Sequence, residues 1–442
     1  MNLQAGLFNV GCQSENRIVL VEIFPGNLFS LRVLKTLRKA EYTELAALFF
    51  IQGAAMSVWL VPLGNVLDAH GLHAIKPFAF ATGALAAFVS PLLFGAMADR
   101  HVPPARVLRW LALATAVMLS LVSTAIKFHC SGWLVLVLIQ VLSLVSAPMT
   151  SISSTIVFAQ LADSKEFAPM RVMMTIGWMA GCVLASVLNA DTSSLAGYAS
   201  AAIWLLLAGF TFFLPALEVP KSAENLVWHE RLGLDALTLL KNRDHRVVFI
   251  TTTLLSVPLA AFYPYAPANL RDLGLAHASA WMSLAQISEV IAIFSMGWLL
   301  LQWRLKWIFA CGLGFGVLRF LLSAVNGKTW LLAGVAMHGA SFALVFVTAQ
   351  IYLDQRVDAA WRARAQALLT LMNSGVGNLI GYLGAGWWFT ACARPVGTQW
   401  SLFWAGMAAT ASVVLVYFLA AYRGQGVGIK RAKESKVDIQ AL

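Results

Sequence analysis

Residues 278–301 read ASAWMSLAQISEVIAIFSMGWLLL. The run is long and apolar enough to cross a bilayer as one helix, and its single acid, Glu289, follows Gln286 by one helical turn. A charge near the bilayer centre costs roughly 3 kcal/mol on insertion scales. An acid there normally faces the protein interior or a wet cavity, where it pairs, takes up a proton or binds a solute. The reading that follows is a membrane carrier with Glu289 at its functional centre.

Composition agrees. With 60% hydrophobic residues, 12% charged residues and a mean hydropathy of +0.75, the chain has too little polar surface for a soluble globule. Further apolar runs give twelve expected spans: 43–67, 75–98, 105–126, 132–158, 170–189, 197–217, 246–268, 278–301, 306–325, 329–353, 364–390 and 398–421. All should be α-helical, because backbone in lipid must satisfy its own hydrogen bonds, and the alternating pattern of barrel strands is absent.

The longest internal polar stretch, 218–245, joins two sets of six spans. The expectation is an all-α integral membrane protein of two six-helix bundles, 43–217 and 246–422. An N-terminal extension (1–42) precedes them, and a basic tail (423–442) follows. Of the 31 Lys and Arg, most fall on one side of this arrangement. They lie in the N-terminal tail, at Arg100, Arg106, Arg109, Lys165 and Arg171, in the central loop, at Arg304, Lys306, Arg356, Arg362 and Arg364, and after Tyr422. The other side holds Lys76, Lys127, Arg271, Lys328 and Arg394. Both termini are therefore expected in the cytoplasm. The net charge of +11 reads as topology with some attraction to anionic lipid, and argues for no nucleic acid partner. Five cysteines lack metal-ligand spacing. Cys130 and Cys392, both near the outer face, could pair only if geometry allows. No metal cluster, nucleophile with a base, phosphate loop or long soluble domain points to an enzyme or to a cofactor.

Three stripes carry the candidate chemistry. Gln286 and Glu289 share a helix face, and together offer an amide and a carboxyl group suited to ribose hydroxyls or a base edge. Arg171, Thr175 and Trp178 fall at i, i+4 and i+7, giving a guanidinium, a hydroxyl and a flat indole wall. His338 and Phe342 lie one turn apart. Glu289 and His338 are the side chains here that could exchange a proton. Each has a plainer reading: Arg171 as a cytoplasmic helix end, Trp178 as packing, Gln286 as glue between helices and His338 as a hydrogen-bonded core residue. For Glu289 the rival is a structural pair with Arg319.

Gly95-Ala96-Met97-Ala98-Asp99-Arg100 resembles the short loop motif of the major facilitator superfamily, which implies gating roles for Gly95, Asp99 and Arg100. A narrower resemblance, to the nucleoside:proton symporters of that superfamily, runs from about residue 50 to 385. It rests on Gln52 with Trp59-Leu60 and Leu63-Gly64, on Pro148 with Thr155-Ile156, and on Arg171 with Thr175-Ile176-Gly177 and Trp178. Gly233-Leu234-Asp235-Ala236, Leu240-Lys241-Asn242, Ser283 with Gln286-Ile287-Ser288-Glu289, and Leu318-Arg319-Phe320 continue it. Arg362, Ala365-Gln366, Gly375, Gly377 and Gly381 complete it.

The resemblance implies a proton-coupled nucleoside importer of the bacterial inner membrane that works by alternating access. Its substrate would lie between Arg171, Thr175, Trp178, Gln286, Glu289, His338 and Phe342, with Glu289 and His338 coupling the proton. Permeases of this kind usually act as monomers. The chain departs from the family pattern at His338, where a tyrosine is usual, at Ala343, where an acid is usual, and near Ala260 and Tyr263, where amides are usual. The alternative is a superfamily permease for another polar solute such as a sugar, or a drug-like efflux carrier.

Overall fold

The computed structural model describes residues 39–98, 102–161, 167–214, 234–395 and 397–424, all within one compact unit. The expected extension before residue 39, the linker before residue 234 and the tail after residue 424 lie outside the described residues, as do Asp99 and Arg100. Within α3, Gly95 has helical backbone.

The N-terminal half comprises α1 (Lys39–Leu60), α2 (Leu63–Ala69), α3 (Lys76–Ala98), α4 (Pro104–Lys127), α5 (Gly132–Ser146), α6 (Met149–Gln160), α7 (Phe167–Val187) and α8 (Leu195–Phe210). After a 3₁₀ turn at Leu234–Lys241, the C-terminal half opens with α9 (Arg243–Ala260), α10 (Phe262–Asp272), α11 (Ala278–Met282), α12 (Leu284–Gln302), α13 (Leu305–Ala324), α14 (Lys328–Ala336) and α15 (His338–Phe342). It closes with α16 (Thr348–Arg356), α17 (Ala359–Thr370), α18 (Asn378–Cys392), a two-residue hairpin of β1 (Ala393–Arg394) and β2 (Gly397–Thr398), and α19 (Trp400–Ala421).

Many spans are broken helices, and proline explains several breaks. It lacks a backbone N–H and crowds the preceding turn, so α1 gives way to α2 at Pro62 and α5 to α6 at Pro148. Wide π turns at Ala343–Val347 and Leu371–Gly377 interrupt two more, a device common at functional sites. Asn242 starts α9 by accepting from the Asp244 and His245 amides.

Among the described residues, nine helices are long and apolar enough to cross a membrane. The other three expected spans, 75–98, 197–217 and 364–390, fall on α3, α8 and the α17–α18 run, which are helical but outside that set. α8 ends at Phe210, short of its expected limit. The four described cysteines are free, so Cys130 and Cys392 do not pair.

Each half has its own apolar core. The halves meet where α7 crosses α11 and α12, where α2 lies on α10, and where α3 lies on α18. Within the N-terminal half α1 packs tightly on α7. A side-chain carbon at Gly177 would strike the Phe50 backbone, so only glycine lets the helices approach this closely. Gly177→Val is expected to cost about 1–3 kcal/mol through overpacking. It should appear as a lower unfolding temperature of the purified protein in detergent.

Candidate functional site

Two of the predicted stripes face each other from opposite halves. On α7, Arg171 is half-buried and its guanidinium donates to the Met174 sulfur at 2.8 Å, while Thr175 is buried. On α12, Gln286 is buried and Glu289 half-buried. Arg171 and Glu289 feel each other's charge across the interface without direct ion-pair contact.

Tyr263 on α10 fills the space beside them. Its ring lies 5.8 Å from that of Trp178, and its hydroxyl faces the Gln286 amide and feels the Glu289 charge. The Trp178 indole N–H and the Gln286 side-chain oxygen are buried with no hydrogen-bond partner. Orphaned buried polar atoms cost free energy unless something completes them.

The third stripe joins through its rings. Tyr263 to His338 is 6.1 Å edge-on, and His338 to Phe342 is 6.4 Å stacked. Trp178, Tyr263, His338 and Phe342 therefore form an aromatic ladder that starts in one half and continues in the other. His338 is also committed elsewhere: it stacks on Phe262 at 3.9 Å and accepts through Nδ1 from the Arg319 guanidinium. That hydrogen bond leaves the ring proton on Nε2. Arg319, 2% exposed, lies over the Phe262 and Phe320 rings at 4.5 Å each. The structural pair of Glu289 with Arg319 does not form. The Arg319 head is directed to His338 and the aromatic rings, leaving Arg171 as the cation whose charge reaches Glu289.

A cavity of about 1020 Å³ lies on the other side of α1. Its wall includes Trp59, Thr82, Ser143, Thr150, Asn378 and Tyr382, but no acidic or basic side chain and none of the seven expected substrate residues. Gln52 ties this wall to α1 by donating from Nε2 to the Thr150 hydroxyl at 3.3 Å, and its Oε1 has no partner. Tyr382 belongs to this wall, its ring tilted against that of Phe80 at 5.7 Å.

Sequence reasoning met Tyr263 only as a departure from a pattern, and missed the Thr150 and Tyr382 wall. A signal was present: Ser143, Ser146, Thr150 and Ser154, and likewise Ser374, Asn378 and Tyr382, recur every three or four residues in apolar runs.

Residues 41–426 match the family model described as nucleoside H⁺ symporter. YegT, a candidate nucleoside transporter of Escherichia coli (strain K12), is 30% identical over 421 residues, covering 90% of this chain and 97% of that protein. The nucleoside permease NupG of the same organism is 25% identical over 417 residues, covering 87% and 97%. The crystal structure of an aspartate-to-alanine mutant of the nucleoside transporter NupG superposes with a TM-score of 0.79 at 24% identity. It covers 86% of this chain and 99% of that one, a likeness of fold.

Proposed function

Because the chain belongs to the nucleoside H⁺ symporter family, we propose that nucleoside binds between the α7 and α12 stripes and that Glu289 carries the coupled proton. The protein is a multi-pass transporter rather than an enzyme, driven by a proton gradient and importing nucleosides. A sugar or drug-like cargo is not favoured, since the family match spans nearly the whole chain.

One observation supports the proposed site above others: the helices that carry Arg171 and Glu289, from opposite halves, pack against each other, and on them the Trp178 indole N–H and the Gln286 side-chain oxygen are buried and unpaired. Gln286 and Glu289 can bond ribose hydroxyls or a base edge, and the Trp178–Tyr263 end of the ladder offers a stacking face. Protonation of Glu289 removes its attraction for Arg171, so the proton and the contact between halves are linked. The neutral, hydroxyl-rich cavity is suited to an uncharged solute on its way to or from this site. His338, held by Arg319 and Phe262, contributes a wall of the ladder rather than the proton. We place the termini in the cytoplasm and the protein in the inner membrane from the distribution of Lys and Arg.

Reconstituted into proteoliposomes, the protein is expected to accumulate labelled uridine or adenosine under an inward proton gradient, and to stop when a protonophore is added. Failure of every nucleoside in a panel to enter in a gradient-dependent way would overturn the proposal.

A further inference from the structure

The membrane span that carries Gln286 and Glu289 begins with the short helix α11, which has no cap of its own. His277, the residue before α11, has left-handed backbone (φ 59°) and gives the helix no side-chain acceptor. The first amides of a helix have no partner within it and need one from elsewhere. Here the partners come from the opposite half. Asp191 Oδ1 accepts from the Ser279 amide at 2.7 Å, and the Ser186 hydroxyl oxygen accepts from the Ala280 amide at 3.0 Å. The His277 ring bonds the Ser186 carbonyl oxygen through Nδ1 at 3.2 Å. Ser186, Ala190, Ala278, Ser279 and Met282 are buried here, while Asp191 is half-buried and His277 exposed.

A second polar contact bridges the halves nearby, and it is weaker in kind. Arg271 lies 3.9 Å from Asp68, which already holds Lys76 at 2.5 Å. Arg271 is 40% exposed, and solvent-exposed ion pairs of this kind contribute little. The partly buried amide bonds to Asp191 and Ser186 are the stronger polar tie, because breaking them leaves helix-end donors unpaired.

We propose that Asp191 and Ser186 are positioning residues for transport: they cap the start of the α11–α12 helix from across the interface when this face is closed, and surrender that cap when it opens. The assignment rests on the alternating-access reading above. The run from Ala278 to Gln302 forms one apolar span, so its start and Glu289, about three turns further on, move together. Closure of this face thereby sets where Glu289 stands relative to Arg171.

The test uses the purified full-length protein in detergent with Ser279→Cys, which puts a thiol at a fully buried position of the contact. Its rate of reaction with a sulfonated maleimide, read by peptide mass spectrometry to separate it from the native thiols, reports opening without any transported substrate. Asp191→Ala is expected to speed labelling roughly fivefold or more, the scale of losing one helix cap. Asp191→Asn retains an oxygen that can accept from the Ser279 amide, and should stay within about twofold of the parent. Ser186→Ala alone should give a smaller rise, and supplies the measurement if Asp191→Ala does not yield a monodisperse protein.

In proteoliposomes, Asp191→Ala should shift KM and lower the maximal uptake rate, with Asp191→Asn restoring both. A purely structural role would lower the amount of active protein and leave KM unmoved. Equal labelling rates across the variants, or an Asn variant as fast as the Ala variant, would overturn the cap. Because labelling needs no nucleoside, it stands or falls separately from the substrate assignment.

Discussion

Glu289→Gln is expected to give a carrier that still exchanges labelled nucleoside across a proteoliposome membrane but no longer accumulates it under a proton gradient. Glutamine has nearly the shape of the protonated acid and keeps a hydrogen-bonding end, so binding and the exchange of loaded carriers survive. It cannot release a proton, so the gradient has nothing to act on. A gradient of one pH unit is worth about 1.4 kcal/mol per proton, a tenfold accumulation. The variant should bring that ratio to about one, while counterflow into preloaded vesicles remains. Full gradient-driven accumulation by the variant would sink the coupling role of Glu289. Because Arg171 faces Glu289 from the other half, the neutral side chain also removes their attraction across the interface. Exchange can therefore be faster than in the parent.

The second large effect is on stability. His338→Leu should lower unfolding free energy by about 3–5 kcal/mol, the range for breaking a buried polar pair so that one charge is left behind. Arg319 is 2% exposed, its Nε has no partner, and the His338 ring nitrogen is the hydrogen-bond acceptor of its guanidinium. Leucine removes that acceptor. Adding Arg319→Met should recover most of the loss, since an apolar side chain of similar length replaces the stranded cation among Phe262, Phe320 and the neighbouring core. Thermal unfolding of the parent, both single variants and the double variant in one detergent closes the cycle. A loss below about 1 kcal/mol for His338→Leu would mean that water or another group already serves Arg319. In contrast to Glu289→Gln, the double variant should keep its proton coupling, because Glu289 is intact, while the loss of a ladder ring at His338 weakens nucleoside affinity.

Glu289 was legible in the sequence because an acid inside a 25-residue apolar helix violates a solvent rule that acts residue by residue. The α7 stripe was legible for a related reason: spacing along one helix fixes which side chains share a face, whatever that face meets. The breaks at Pro62 and Pro148 follow from the chemistry of a single residue. The partner of Glu289 was not legible. Arg319 was the intramembrane cation that the sequence offered, and whether its head reaches Glu289 depends on the rotation and depth of each helix in its bundle. Tyr263 was hidden similarly, since nothing local shows that its ring spans from Trp178 to His338.

The sequence by itself determined the membrane class, the family, the positions of most helices and the intramembrane acid, because solvation and helical periodicity act along the chain. Only the tertiary structure decided that Glu289 faces Arg171, that His338 serves Arg319, and that Asp191 and Ser186 cap a helix of the other half. Those outcomes depend on which faces of separate helices touch, and residues far apart in the chain meet only once both halves have packed.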